Sequence, residues 1–169
     1  MKKAVTGAVL IVAVLIGGFL YQKYRIAPRI KFDTLELTDL NGKPVKLQDY
    51  QGKKIFLNFF ATWCGPCVGE FPSLNRASEI LQPDSFVFIS ISDEPLNVLN
   101  HFNARFNPQY ILVLHSVKDL HELGIFTIPT NYLLNNKNEV VFQKTGDENW
   151  AAPEVITELK QKANGRRPK

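Results

Sequence analysis

The sequence predicts a single α/β domain built on a mixed sheet with helices on both faces, and three observations carry that reading. Short apolar runs that suit buried strands alternate with segments whose apolar residues recur at helical spacing, the pattern of crossovers packed on a sheet. Two hairpin signals, one early and one late, add antiparallel partners. The 169 residues, 45% hydrophobic and 11% aromatic, suffice for one substantial core with an appendage.

The appendage comes first. Residues 4–21 carry no charge and follow Lys2 and Lys3; about 18 to 20 apolar residues cross a bilayer, so this run reads as an uncleaved membrane anchor. The competing reading is a cleaved signal peptide, whose apolar core is usually roughly 7 to 15 residues and ends at a small-x-small site. Gly17 and Gly18 offer poor sites, and no cysteine stands just beyond them that would carry a lipid. Lys23, Arg25, Arg29 and Lys31 flank the far side as heavily as Lys2 and Lys3 flank the near side, so charge alone leaves the orientation open. A secretory-type N-terminus exports the domain attached to it, which places that domain on the extracytoplasmic face of a bacterial inner membrane.

Residues 22–31 form a short charged tether containing Pro28. Residues 32–37 alternate apolar and polar as a strand, Asn41-Gly42 marks a hairpin turn, and residues 45–47 return. Gly52 turns the chain into residues 55–60, apolar except for Asn58, which suits a strand covered on both faces. From Pro66 to about Leu81, Val68, Phe71, Leu74 and Ile80 stand near helical spacing. Pro66 is harmless in the first turn, whereas Pro72 is expected to kink the helix. Residues 86–91 read as a second buried strand, and Asp93-Glu94-Pro95 opens a helix carrying Leu96, Leu99, Phe102 and Phe106. Residues 110–114 read as a strand and residues 118–123 as a short helix ending at Gly124. Residues 130–134 and 140–144 flank Asn135-Asn136-Lys137-Asn138 as a hairpin, and residues 153–162 close with a helix. The chain thus divides into an anchor and tether (1–31), a domain (32–163) and a basic tail (164–169).

The net charge of +4 hides a strong asymmetry. Six positive charges precede residue 33 and three lie in Arg166, Arg167 and Lys169, which leaves −5 for the residues between. An acidic fold between basic ends argues against a nucleic-acid surface. The tail reads as a solvated end or as a weak contact for anionic lipid.

Both cysteines lie in Trp63-Cys64-Gly65-Pro66-Cys67, where an apolar strand gives way to a helix. Two thiols at that spacing can close a disulfide, and the helix N-terminus stabilises a thiolate on the first. Cys64 at the helix mouth fits the attacking thiol, which must be exposed and partly ionised. Cys67, one turn inward, fits the thiol that displaces it from a mixed disulfide. The alternative is half of a zinc site completed by His101, His115 or His121, but these lack the closely spaced pairing that small zinc sites use. Glu70 lies three residues after Cys67 on the same helical face and can relay the proton of the second thiol; it is also a residue favoured near a helix N-terminus for electrostatic reasons alone.

Together with Ile128-Pro129-Thr130 entering a later strand, the cysteine motif resembles the thioredoxin superfamily. Asn41-Gly42-Lys43, Gly52-Lys53, Asn58-Phe59-Phe60-Ala61-Thr62-Trp63 and Glu70-Phe71-Pro72 narrow the similarity, over about residues 32–162, to TlpA/ResA-like membrane-anchored thiol-disulfide oxidoreductases. The resemblance implies a thioredoxin-like fold with an N-terminal hairpin and a central βα insertion, preceded by one transmembrane helix. It implies that Cys64 is the nucleophile, Cys67 the resolving thiol, and the pair a redox-active disulfide. Pro129 becomes a cis-proline facing that disulfide, with the Ile128 backbone pairing with bound peptide; a trans proline opening an edge strand is the alternative. Glu70 matches an acidic residue that assists proton transfer, and Trp63 a residue that shields Cys64 or packs beside it. No metal or other cofactor is implied. The partners implied are protein thiols and disulfides and a membrane thiol-electron carrier, and the chain is expected to act as a monomer.

Gly65-Pro66 between the cysteines resembles reducing members, which in this family often prepare apocytochrome c thiols for haem. Two residues depart from related patterns. Asn131 replaces the acidic residue associated with dedicated cytochrome maturation, and Asn58 replaces the buried Asp of thioredoxins proper, leaving Glu70 as the nearby carboxylate. Exchange in the oxidase direction, a thiol peroxidase and a non-enzymatic metal-binding chaperone remain as alternatives. The peroxidase is disfavoured because Thr62 stands two residues before Cys64 without the proline of that motif.

Overall fold

A strand with apolar side chains on both faces has to lie inside a sheet, and residues 54–59 do. The computed structural model describes Gly7, residues 11–17, Ile30 and residues 32–165. Its strands are β1 (Leu37–Thr38), β2 (Pro44–Val45), β3 (Lys54–Phe59), β4 (Phe86–Ser92), β5 (Ile111–Ser116), β6 (Thr130–Leu134) and β7 (Val140–Thr145). They form one sheet in the order β2-β1-β5-β4-β3-β6-β7. The sheet is mixed, since β3 pairs parallel with β4 and antiparallel with β6, and β4 pairs parallel with β5.

Helix α1 (Gly65–Leu81) joins β3 to β4, α2 (Leu96–Phe106) joins β4 to β5, and α3 (Pro153–Ala163) comes after β7. Both crossovers step in the same direction along the sheet, so one handedness puts α1 and α2 on one face. The two-residue period of β3 then sorts its side chains. Phe56 and Phe60 join a core with Phe71 and Leu74 of α1, Leu99 and Phe102 of α2, and Ile156 and Leu159 of α3. Ile55, Leu57 and Phe59 enter a second core with Ile89, Ile91, Leu114 and Tyr132.

That division corrects the expectation of helices on both faces. Helices α1, α2 and α3 all feed the first core, whereas Leu37, Leu47, Leu120 and Ile125 close the second. The covering elements there are 3₁₀ turns at Phe32–Thr34 and Leu47–Tyr50 and a turn at residues 120–124. Residues 118–123 do not form the expected helix. The Glu122 and Leu123 N–H groups donate to the Asp119 carbonyl, closing one turn, and Gly124 at φ 83° ends it. A single turn gains too few hydrogen bonds to propagate.

The N-terminal hairpin is shorter than the sequence suggests, because Phe32–Thr34 and Leu47–Tyr50 coil into 3₁₀ turns and leave two residues per strand. Its turn stands as read: Asp39 Oδ1 accepts the Asn41 and Lys43 N–H groups at 2.8 and 2.9 Å, and Gly42 adopts φ 82°. In α1, Leu81 takes the inward position and Ile80 is exposed, while Pro72 lies within a helix that continues past it. Residues 11–17 are helical and exposed. Among the described residues no helix is long and apolar enough to cross a membrane. The rest of the expected anchor, most of the tether and the tail residues 166–169 lie outside the described residues.

Phe56 joins these layers: it is fully buried on the central strand, stacks on Phe88 at 4.7 Å and meets the edge of Trp150 at 4.8 Å. Phe56→Ala should therefore cost about 3–5 kcal/mol, read as a lower urea midpoint with an unchanged slope. A loss under about 1 kcal/mol would show that the site collapses around the missing ring.

Candidate active site

β3 ends at Phe59, and the chain runs through Ala61, Thr62 and Trp63 into α1. The first N–H groups of a helix need acceptors from outside it. Cys64 supplies them as N-cap: its sulfur accepts the Cys67 N–H at 3.3 Å and its carbonyl accepts the Val68 N–H at 3.0 Å. Cys64 and Cys67 are joined in a disulfide, with Cα atoms 5.2 Å apart. On reduction the same position offers the Cys64 sulfur a peptide N–H and the positive end of the helix dipole, both of which favour thiolate.

Cys64 is 6% exposed and Cys67 1%. Their order is the expected one, but Cys64 is far less open than an exposed nucleophile, because it packs into the first core with Phe60, Ala61 and Phe71. Trp63 is 76% exposed, which corrects the packing alternative for its ring: the indole stands in solvent.

The register of β6 on β3 brings the next residues in. Phe59 pairs with Thr130, so the segment entering β6 lies beside the segment leaving β3. The Ile128–Pro129 peptide bond is cis. Ile128 precedes the first paired residue of β6 and is not part of the ladder.

Glu70 projects from the same face of α1 as Cys67 and is only 4% exposed. Three donors hold its carboxylate. Asn58 Nδ2 donates to Oε1 at 2.9 Å, while Trp150 Nε1 and the Glu148 N–H donate to Oε2 at 2.8 and 3.3 Å. Burial pushes the Glu70 carboxyl up from its ordinary 4.5 to about 7, against the pull of the Trp150, Glu148 and Asn58 hydrogen bonds and with a further push from Asp147. A solvated carboxylate placed only to suit the helix dipole does not describe this side chain.

Asn58 explains how a polar row runs beneath α1. It shares a face of β3 with Phe56 and Phe60, and its neighbours across the sheet are Ser90 on β4 and Asn131 on β6. Ser90 Oγ donates to Asn58 Oδ1 at 3.2 Å, and Asn58 Nδ2 donates to Asn131 Oδ1 at 2.9 Å. The Asn131 Nδ2 group is buried without a partner among the described residues.

Glu94 provides a further tie. The sequence reads Asp93-Glu94 as a helix opening, but α2 takes Pro95 as its N-cap and has no side-chain cap. Glu94 instead accepts the Thr62 N–H at 2.6 Å, the Thr62 hydroxyl at 2.7 Å and the Ser92 hydroxyl at 3.1 Å. Asp93 accepts the Leu120 N–H at 2.8 Å. These bonds fasten the turn before Cys64 to the loop after β4. The three histidines are not gathered at the cysteines, and among the described residues no group of three His, Cys, Asp or Glu side chains is placed to hold a metal.

The structure therefore groups Cys64, Cys67 and Glu70 on one helix and sets Ile128 and Pro129 at the entry to the strand beside it. Ser90, Asn131, Glu94 and Trp150 are partners that sequence reasoning did not assign. Asn58 and Ser90 were detectable as polar interruptions of apolar strands. Trp150 gave no such signal, since it arrives from the segment between β7 and α3.

A model of the Redoxin family matches residues 25–159. The chain is 30% identical over 126 residues to the thiol-disulfide oxidoreductase ResA of Geobacillus thermodenitrificans, covering 73% of this chain and 72% of the relative. It is 28% identical over 148 residues to the ResA of Bacillus subtilis, covering 83% of each. The crystal structure of Bacillus subtilis StoA shares the fold, with a TM-score of 0.57, 24% identity, and coverage of 77% of this chain and 96% of that one.

The elevated Glu70 carboxyl sets a pH dependence of stability. Between pH 4.5 and about 7 the folded chain keeps a proton on Glu70 that the unfolded chain has lost. The burial cost is absent below that window, grows as pH rises through it and levels off above, by on the order of 3 kcal/mol at about 1.4 kcal/mol per unit. Urea unfolding of the disulfide form across the window should show this decline, and Glu70→Gln should remove it. Trp150→Phe deletes one donor to the carboxylate and should extend the decline to higher pH. An unchanged slope in Glu70→Gln would assign the effect to another group.

Proposed function

The chain belongs to the redoxin family and is a TlpA/ResA-like thiol-disulfide oxidoreductase, and on that premise we propose that it is a membrane-tethered reductase of protein disulfides on the extracytoplasmic face. The observation that carries the exchange chemistry is the Cys64–Cys67 pair capping α1, the helix that also carries the buried Glu70. The uncharged run at residues 4–21 supports the tether and the inner-membrane location. Gly65-Pro66 supports the reducing direction by its resemblance to reducing members.

In that direction the Cys64 thiolate attacks one sulfur of a client disulfide. A Cys64–client bond forms, the client S–S bond breaks, and the first client thiolate leaves. Cys67, deprotonated with the Glu70 carboxylate as acceptor, then attacks the Cys64 sulfur. The Cys64–Cys67 disulfide forms, the second client thiolate leaves, and both client thiolates take up protons. Two electrons have passed from the chain to the client, and a membrane thiol carrier restores the dithiol. A carboxyl titrating near 7 is suited to this relay because it changes state at working pH. Trp63, next to Cys64 in the chain, and the Ile128 backbone before the cis Pro129 receive the client chain. Apocytochrome c thiols are a proposed client class, carried over from the family resemblance.

Two measurements test the reading. Cys67→Ala should accumulate mixed disulfides on Cys64 in cells, and replacing both cysteines should abolish them; no trapped species with Cys67→Ala would remove Cys64 as nucleophile. The reduction potential should lie nearer to about −270 mV than to about −120 mV, and the reverse would make the chain an oxidase.

A further inference from the structure

A groove of about 510 Å³ opens between α1 and α2, beside the turn that precedes Cys64. Thr62, two residues before Cys64, lines one end, and Val68, the residue after Cys67, lines its wall. Val98 and Phe106, both partly buried, continue the apolar surface above the buried Phe102, and the exposed Arg105 stands on the rim at the C-terminal end of α2. None of these residues is assigned to the exchange reaction.

The charge at that rim is unusual for this domain. Residues 32–165 carry eleven Lys and Arg against sixteen Asp and Glu, yet α2 contains no carboxylate. Arg76 is paired with Glu79 at 2.6 Å, whereas Arg105 has no carboxylate partner among the described residues and lies over the Phe106 ring at 5.6 Å. Glu94, near the other end, is engaged by Thr62 and Ser92. The last turn of a helix favours a cation. That accounts for a basic residue at this position but not for an apolar channel that joins it to Thr62.

We infer that the groove binds an extended stretch of the client polypeptide, with apolar side chains over Val98 and Phe106 and an Asp or Glu against Arg105. Asn97 to Arg105 spans about 12 Å of helix, which an extended chain covers in about four residues. Glu94, just before α2, is bonded to Thr62, so the Asn97 end of the groove lies at the turn before Cys64 and the acidic residue lies about four positions from the client cysteine. This specificity rests on the exchange reaction proposed above and adds the sequence feature that selects a client.

The test uses the full-length reduced chain and three disulfides. Two are matched peptides that differ only in Glu or Lys four positions from the cysteine. The third is bis(2-hydroxyethyl) disulfide, neutral and too small to reach Arg105. The native chain should favour the Glu peptide in kcat/KM about five-fold, the scale of one partly exposed ion pair, and added salt should erase the preference. Arg105→Gln should abolish the preference and Arg105→Glu should reverse it, with all three proteins equal on the neutral disulfide. Equal rates for the two peptides with the native chain, or a preference that survives Arg105→Gln, would overturn the groove assignment. Failure of the native chain to reduce the neutral disulfide would strike the exchange reading instead.

Discussion

Donors from two separate parts of the chain converge on the Glu70 carboxylate: the Asn58 amide from β3, and the Trp150 indole and Glu148 peptide from the segment after β7. A carboxylate removed from water without such partners is strongly destabilising, so the three elements are held to one mutual position wherever Glu70 is ionised. The same contacts leave the group with an elevated pKa, because burial outweighs them. Glu70 is thus both a clamp between helix, sheet and loop and a site where a proton can be taken or given near neutral pH. A donor set strong enough to cancel the burial would keep the carboxylate ionised throughout the working range and remove that second property.

On the same helix as this carboxylate, the disulfide is placed by backbone rules. An N-cap residue must accept N–H groups from the first turn, and here the acceptor is a sulfur. Chain connectivity makes Cys64 the outer thiol and Cys67 the inner one, closer in sequence to Glu70. The sheet supplies the other wall, since pairing β6 antiparallel to β3 brings the Ile128–Pro129 peptide alongside the turn that carries Cys64. Glu94 anchors that turn through Thr62, so both the approach to the nucleophile and its cap are fixed by groups outside α1.

The distribution of cover over the sheet has a functional side. With α1, α2 and α3 on one face, α1 and α2 lie next to each other and the groove between them opens beside the turn that precedes Cys64. The opposite face is closed by 3₁₀ turns and the turn at residues 120–124. Asp93 holds one of these turns through Leu120, while the adjacent Glu94 serves the active-site face. Two consecutive acids that look like a helix start are in fact divided between the two sides of the domain.

Local pattern was enough for much of this protein. The apolar runs of β3 and β4, the helical spacing of α1, the hairpin at Asn135 to Asn138 and the paired thiols at a helix mouth are all readable over short windows, because each depends on neighbours within a turn or a strand. The short helix at residues 118–123 failed for the same kind of reason, since Gly124 and the His121 N–H donated to the Asp119 carboxylate stop it after one turn. The depth of Cys64, the exposure of Trp63 and the separation of the two cores depend on how elements stack, and no local period encodes that. Sequence alone determined that two thiols meet at a helix N-terminus and that a carboxylate stands three residues on, on the same helical face as the second. Only the tertiary structure decided that Trp150, Glu148 and Asn58 surround that carboxylate, because hydrogen bonds between segments up to eighty residues apart exist only once β3, α1 and the loop after β7 have packed together.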